Sequence, residues 1–291
     1  MLRLVLPKGS LERQTLELFA AADLAVQRSS DVDYRATIDD PRIADVRILR
    51  PQEIPVYVAD GVFDVGVTGR DWIEERGAEV VSLGVLRYSK LTDRPIRVVL
   101  AVDGASEIRR VEDLPQGARV ATEYPNLTRR YLLEHGVSGE VLLSYGATEA
   151  KIPEIADAVV EITETGRALR AAGLRVIDTI LTSYTELIAN PVSVADAEKA
   201  HAMGQIMTLL TGALSARDQV LVKLNVDETN LEKVIAEMPA MKSPTISQLY
   251  GKAGFAIEAV VPRSVINRLI PSLKDHGATD ILEIPLSKIV P

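Results

Sequence analysis

The sequence predicts an α/β protein of two lobes followed by a small ferredoxin-like module. Apolar, β-branched runs such as "LRLVL", "IRVVLAV" and "ADAVVEI" alternate with helical patterns, the signature of α/β sheets. Two such series follow one another, the second starting near Ile96. From Gln219 onward the pattern changes to two short β-α-β units, the size of a ferredoxin-like module.

The elements follow in order. "LRLVL" reads as a buried strand, and "SLERQTLELFAAADL" as a helix with Ser10 as its expected N-cap. The strand runs "DVRILR" and "FDVGVTG" flank a helical "PQEIPVYVADG". In the second series "IRVVLAV", "ARVATEY", "VLLSY" and "ADAVVEI" are strands, and "NLTRRYLLEH" is a helix with Asn126 expected to cap it. "RVIDTILTSYTELIAN" is the return of the chain, and "SVADAEKAHAMGQIMTLLTGALSARD" one long helix. In the tail, strands "QVLVKLNV", "FAIEAVVP" and "DILEIPL" accompany the helices "DETNLEKVIAEM" and "RSVINRLIPSLKDHG", with "PAMKSPTISQLYGKAG" as a loop. The expected boundaries are 1–94 and 178–217 for the first lobe, 95–177 for the second and 218–291 for the tail.

Composition narrows the function classes. The 291 residues, 47% hydrophobic, can bury the cores of two or three domains. A net charge of -8 disfavours nucleic acid, which is held by basic surfaces. The absence of cysteine excludes disulfides and thiolate chemistry, and three histidines argue against a His-rich zinc centre. "MLRLVLPKGS" carries no apolar signal core and no run is long enough for a membrane span, so a cytoplasmic location with no membrane partner is expected.

The chemistry centres on "DAVVEITETGRALRAAGL". Its strand ends in a Thr-Glu-Thr-Gly bend that opens a helix, and ligands of open α/β sheets bind at such strand ends. Backbone amides and a helix N-terminus suit phosphate, Gly166 permits close approach, and Thr163 and Thr165 add hydroxyls. The carboxylates fit if the ligand is a phosphorylated sugar: Asp157 or Glu161 can then accept from ribose hydroxyls, and a carboxylate can hold Mg2+ that bridges to a pyrophosphate. The opposing reading is a plain turn with solvated acids. Similar junctions occur at "LPKGSLE" with Lys8, "LRPQEIP" with Arg50, "VGVTGRD" with Asp71 and "ATEYPNLTRRYL" with Tyr124, Arg129 and Arg130. Four bland alternatives stand beside them: a polar turn at Lys8, a surface ion pair at Arg50, a core tyrosine at Tyr124 and exposed arginines at Arg129 and Arg130. Five such junctions from two lobes describe a cleft for a charged ligand.

These segments, with "ELIAN" and "MKSPTISQLY", resemble the long form of the ATP phosphoribosyltransferases along nearly the whole chain. The resemblance implies a two-lobed core like that of periplasmic binding proteins and a C-terminal, ACT-like, histidine-sensing domain. It implies ATP and phosphoribosyl pyrophosphate as substrates, Mg2+ as cofactor and histidine as inhibitor. It further implies a homo-oligomer, dimer or hexamer, that needs no separate regulatory subunit. Within it, Lys8, Arg50 and Glu161 are the expected catalytic groups. Asp71, Tyr124, Asp157, Thr163, Glu164, Thr165, Gly166, Arg167, Ala168 and Leu169 are expected to bind substrate. Glu149 is the expected metal ligand, and Asn225, Ser243 and Thr245 the regulatory residues. The chain departs from the family pattern at Glu161, where Asp is frequent, at Ala168, where Thr is frequent, and at Glu154, where Gly is common. The expected reaction joins adenine N1 of ATP to C1 of the donor with release of pyrophosphate. Three alternatives stand beside it: a non-enzymatic two-lobed small-molecule sensor, a prephenate dehydratase and an inactive regulatory paralogue. "EITETGRAL" fits a phosphate site better than a prephenate site.

Overall fold

The computed structural model describes residues 1–30, 32–88, 94–241, 243–251 and 254–290. The chain divides into two compact units, Met1–Ala20 with Leu24–Met207, and Ala21–Asp23 with Thr208–Pro291.

The first unit runs β1 (Leu2–Pro7), α1 (Glu12–Ala21), β2 (Val26–Gln27), β3 (Arg35–Ile38), β4 (Ile43–Leu49), α2 (Ile54–Ala59), β5 (Val65–Gly69), α3 (Arg70–Arg76) and β6 (Val81–Leu86). It continues with β7 (Ile96–Asp103), β8 (Ala118–Thr122), α4 (Pro125–Glu134), β9 (Gly139–Leu143), β10 (Ala158–Thr163), α5 (Arg167–Ala171), β11 (Leu174–Ser183), β12 (Thr185–Ala189), α6 (Pro191–Ala195) and the start of α7 (Ala197–Ala216). Two sheets result, ordered β2-β3-β4-β1-β5-β12-β6 and β11-β7-β10-β8-β9. The chain passes between them twice, after β6 and again between Ser183 and Thr185, where β11 of the second sheet gives way to β12 of the first. This is the two-lobed, periplasmic-binding-protein-like arrangement expected from the sequence.

The apolar runs explain the cores. Val98, Val99, Leu100, Ala101 and Val102 of β7 are all fully buried, so that strand is covered on both faces, and each Val or Leu contributes about 1.5–3 kcal/mol. Trp72 of α3 belongs to the core of the second sheet, although its sequence neighbours β5 and β6 belong to the first. One short helix therefore packs with both lobes.

The second unit runs β13 (Gln219–Val226), α8 (Leu231–Glu237), β14 (Thr245–Gln248), β15 (Phe255–Pro262), α9 (Ile266–Asp275) and β16 (Ala278–Pro285). Its sheet order, β14-β15-β13-β16 with antiparallel neighbours, is the ferredoxin-like pattern. Val220, Val222, Leu224 and Val226 face the helices, as the alternating burial of β13 requires.

Several local expectations need correction. The long helix expected from Ser193 breaks at Asp196, whose backbone is extended and whose carboxylate accepts the Glu198 and Lys199 amides at 3.0 and 3.1 Å. An N-cap has replaced helix continuation there. Asn126 does not cap α4; Tyr124 takes the cap position, and the Asn126 and Leu127 amides donate to the buried Glu75 carboxylate of α3. Helix α1 starts at Glu12 rather than beside Ser10, and the Glu12 carboxylate accepts from the Gly9 amide. The expected loop after Pro239 contains β14. Strands β2, β3 and β6 had no counterpart in the sequence reading.

Candidate active site

The cleft lies within the first unit, between its two sheets. A cavity of about 300 Å³ is lined by Ser10, Leu11, Pro51 and Gln52 from the first lobe, by Glu123, Tyr124 and Ile162–Glu164 from the second, and by Gly69, Asp71, Trp72 and Ser183–Thr185. A second cavity, of about 450 Å³, is lined by Arg50, Arg76, Asn126, Ser144 and Tyr145, among others, and shares Gln52, Trp72 and Glu123 with the first. The two cavities therefore meet along one wall.

The Thr-Glu-Thr-Gly bend stands at the carboxyl end of β10. Thr163 is buried, and its Oγ1 accepts the Gly166 amide at 2.7 Å. Gly166 adopts φ +71°, a left-handed conformation that glycine takes without a Cβ penalty. The bend leaves the amides of Thr165, Arg167, Ala168 and Leu169 without a hydrogen-bond partner among the described residues. That is the usual state of a first helical turn, and it creates a concave patch of donors. Helix α5 has only five residues. The amides, rather than a long helix dipole, are therefore the attraction for an anion. Thr165, Arg167 and Ala168 are exposed and Glu164 half-buried, whereas the Leu169 side chain is packed with Val99, Ala121 and Val159.

Glu161 sits two residues before Thr163 on β10. Burial raises its carboxyl above the ordinary range, and the nearby Glu123 and Glu149 carboxylates add to the effect. Donation from the Ile162 amide and the Thr148 hydroxyl works in the opposite direction. Asp157 corrects an expectation. It precedes β10 at the amino end, about 20 Å of extended strand from the bend. There it accepts from the Arg119 amide at 2.8 Å and from the guanidinium at 3.1 Å, which keeps its carboxyl low. It cannot share a ribose with Glu161.

Asp71 and Tyr124 come together, but with each other. Asp71 Oδ2 accepts from the Tyr124 hydroxyl at 2.8 Å, and the Tyr124 ring packs on Trp72 with centroids 4.5 Å apart. Both side chains are almost fully buried at the cavity floor. Burial raises the Asp71 carboxyl, and burial beside that carboxylate raises the Tyr124 phenol. Tyr124 thus packs on a tryptophan, as the core-tyrosine alternative describes. Lys8, just past β1, holds its ammonium 4.5 Å from the Tyr34 ring centroid. Arg50, after β4, is exposed and lines the second cavity. Its guanidinium has no partner among the described residues. Arg130 donates to the Glu74 carbonyl of α3, and Arg129 to Asn126. Glu149 is half-buried in a 3₁₀ turn, Thr148–Lys151, packed against β10.

In the second unit Asn225 donates to Asp280 at 2.9 Å. Thr245 pairs with Glu258, which pairs with Lys223, two residues from Asn225, so Thr245 and Asn225 share the sheet face away from the helices. Ser243 is exposed just before β14. Sequence reasoning missed Glu75, Trp72, Glu123 and Ser183. Glu75 was reachable, because four residues after Asp71 on a helix it must lie on the same face.

Two α/β lobes around a cleft, in a chain that continues into a ferredoxin-like unit, make this a two-lobed α/β protein with an appended ferredoxin-like module. Comparison with known proteins is specific. The sequence model of HisG, ATP phosphoribosyltransferase, matches residues 50–212, and that of the HisG C-terminal domain matches residues 216–288. An ATP phosphoribosyltransferase of Desulforudis audaxviator is 47% identical over 290 residues, covering 100% of this chain and 99% of that protein. One of Thermodesulfovibrio yellowstonii is 45% identical over 291 residues, with 100% and 99% covered. Among solved structures, the ATP phosphoribosyl transferase (HisG:HisZ) complex from Thermotoga maritima is similar with a TM-score of 0.61 at 27% identity, covering 72% of this chain and 99% of that one. The chain belongs to the ATP phosphoribosyltransferase family, in its long form with the C-terminal domain. It is a phosphoribosyl-transferring enzyme of histidine biosynthesis. Among the described residues no helix is long and apolar enough to cross a membrane.

Proposed function

We propose that the cleft joins adenine N1 of ATP to C1 of phosphoribosyl pyrophosphate, giving phosphoribosyl-ATP and pyrophosphate. The observation that carries this reading is the bend after β10, where Thr163 fixes Gly166 and the amides of Thr165, Arg167 and Ala168 have no partner among the described residues. Those amides bind the 5′-phosphate of the donor, with the Thr165 hydroxyl beside them. Glu161 accepts from the ribose hydroxyls and favours positive charge at C1. The N1 lone pair forms the new bond while the C1–O bond breaks, and that electron pair leaves on pyrophosphate. N1 is already nucleophilic, so no strong general base is required. Alignment of the two substrates supplies most of the effect, about 7–11 kcal/mol for well-oriented reactants. Arg50, which lines the second cavity with its guanidinium unpaired among the described residues, and Lys8 offset charge on the leaving pyrophosphate.

The donor set fits a divalent cation held mainly by substrate oxygens. No group of three or more His, Asp or Glu side chains assembles a metal cage among the described residues. The Glu149 carboxylate nevertheless lies near enough to help raise that of Glu161, and a cation relieves that repulsion. Glu149 is the ligand we assign, with Mg2+ the metal; when bound it neutralises the pyrophosphate. Incubation of the protein with ATP, phosphoribosyl pyrophosphate and Mg2+ tests the whole reading. Phosphoribosyl-ATP must appear, and its absence overturns the assignment.

The ferredoxin-like unit is read as the site of feedback by histidine, with Asn225, Ser243 and Thr245 contributing from the open face and the adjoining loop. Assembly into dimers and hexamers in the cytoplasm, without a separate regulatory subunit, completes the proposal.

A further inference from the structure

We infer that Ser183 is a positioning residue for the transfer reaction. Its hydroxyl holds the Asp71 carboxylate so that Asp71 fixes Tyr124 and, with it, the wall of the cleft. The inference rests on the reading of that cleft as the substrate site. Ser183 closes β11, at the point where the chain passes from the second sheet to the first, and is buried. Its Oγ accepts the Asp71 amide at 3.0 Å and donates to Asp71 Oδ1 at 2.6 Å. The other oxygen, Oδ2, accepts from Tyr124.

The local backbone is shaped around this carboxylate. A Cβ added at Gly69 would lie 2.1 Å from Asp71 Oδ1 and 3.4 Å from Ser183 Oγ, so no side chain fits there. The three groups come from the start of α3, the crossing between sheets and the junction of β8 with α4. One buried carboxylate thus ties the crossing to both lobes. Tyr124 is held from its other side by Trp72, and all four side chains line the cavity. Without the Ser183 hydroxyl, Oδ1 loses its side-chain donor in a buried place. The carboxylate then has reason to turn, and Tyr124 loses its fixed acceptor. Small displacements of a wall that orients two substrates cost rate before they cost binding.

Trp72 is the only tryptophan in the chain, and it touches Tyr124, so its emission reports this wall. The full-length wild type, Ser183→Ala, Tyr124→Phe, Asp71→Asn and the Ser183→Ala/Asp71→Asn double variant are titrated with phosphoribosyl pyrophosphate and Mg2+ while Trp72 emission is followed. Values of kcat and KM are measured in parallel. Ser183→Ala is expected to shift the ligand-free emission and to lower kcat about tenfold or more, with each KM within about threefold of wild type. In the double variant it should add little to the loss caused by Asp71→Asn, because both act through one carboxylate. Wild-type kcat and emission in Ser183→Ala, or additive losses in the double variant, overturn the proposal. If Ser183→Ala does not fold, Tyr124→Phe removes the other hydroxyl donor and is decided by the same two readouts. A wild-type emission that the donor leaves unmoved, in an enzyme that turns over, overturns instead the reading of the cleft on which the proposal stands.

Discussion

Burial at the cleft end of β10 raises the Glu161 carboxyl, and the Glu123 and Glu149 carboxylates raise it further. A carboxyl raised in the folded state binds its proton more tightly there than in the unfolded chain. Its favourable contribution is fully present below the unfolded value near 4.5 and is lost as pH rises through the folded value. At neutral pH an ionised Glu161 is therefore a cost to the fold, one the proposed role in transfer would account for. Glu161→Gln should melt a few degrees higher than wild type at pH 7.5, with the advantage gone below the unfolded value. Its turnover should fall at least about a hundredfold, the range of a lost electrostatic contact in a transition state. Thermal scans at several pH values and steady-state rates check both. Ala168 leaves the bend one hydroxyl short of the pattern that the family resemblance implies. Ala168→Thr, at an exposed position, should lower the KM for phosphoribosyl pyrophosphate about tenfold, as expected for one added hydrogen bond to a charged group.

Between residue and molecule stand the elements that line the cleft. Helix α4 has no side-chain cap of its own; its Asn126 and Leu127 amides are satisfied by Glu75 of α3. Glu75→Ala should cost about 1–2 kcal/mol, the range of a lost cap, measurable by urea unfolding, and should also slow turnover by loosening the Trp72–Tyr124 wall. That partnership was not legible in the sequence, because the cap comes from 51 residues away while Asn126 offered a local candidate. The strands that were legible, β1, β7 and β10, are apolar because the sheet covers them. Strand β14 was not, since all four of its residues are exposed and carry no apolar alternation. The bend was located correctly in sequence because Thr-Gly turns leave a local mark. Asp157 was misplaced because proximity in sequence hid its position at the other end of a six-residue strand.

At the scale of the whole molecule, the proposal gives the two units separate duties, transfer in the first and sensing in the second. Histidine at millimolar concentration should reduce activity, and Thr245→Ala or Asn225→Ala should raise the concentration needed about 5–150-fold, the span of ordinary couplings. Inhibition assays with each variant read this directly, and unchanged inhibition in both would remove those residues from the sensing site. The family and the order of both units were legible because long segments along the chain match; the lobe-bridging role of α3 was not, because only the folded core shows Trp72 among residues of the second sheet. The most direct test of the account is a crystal structure with phosphoribosyl pyrophosphate and Mg2+ bound. The account predicts the 5′-phosphate on the amides between Thr163 and Leu169 and the ribose beside Glu161. Donor density elsewhere, with that bend open to solvent, would contradict it.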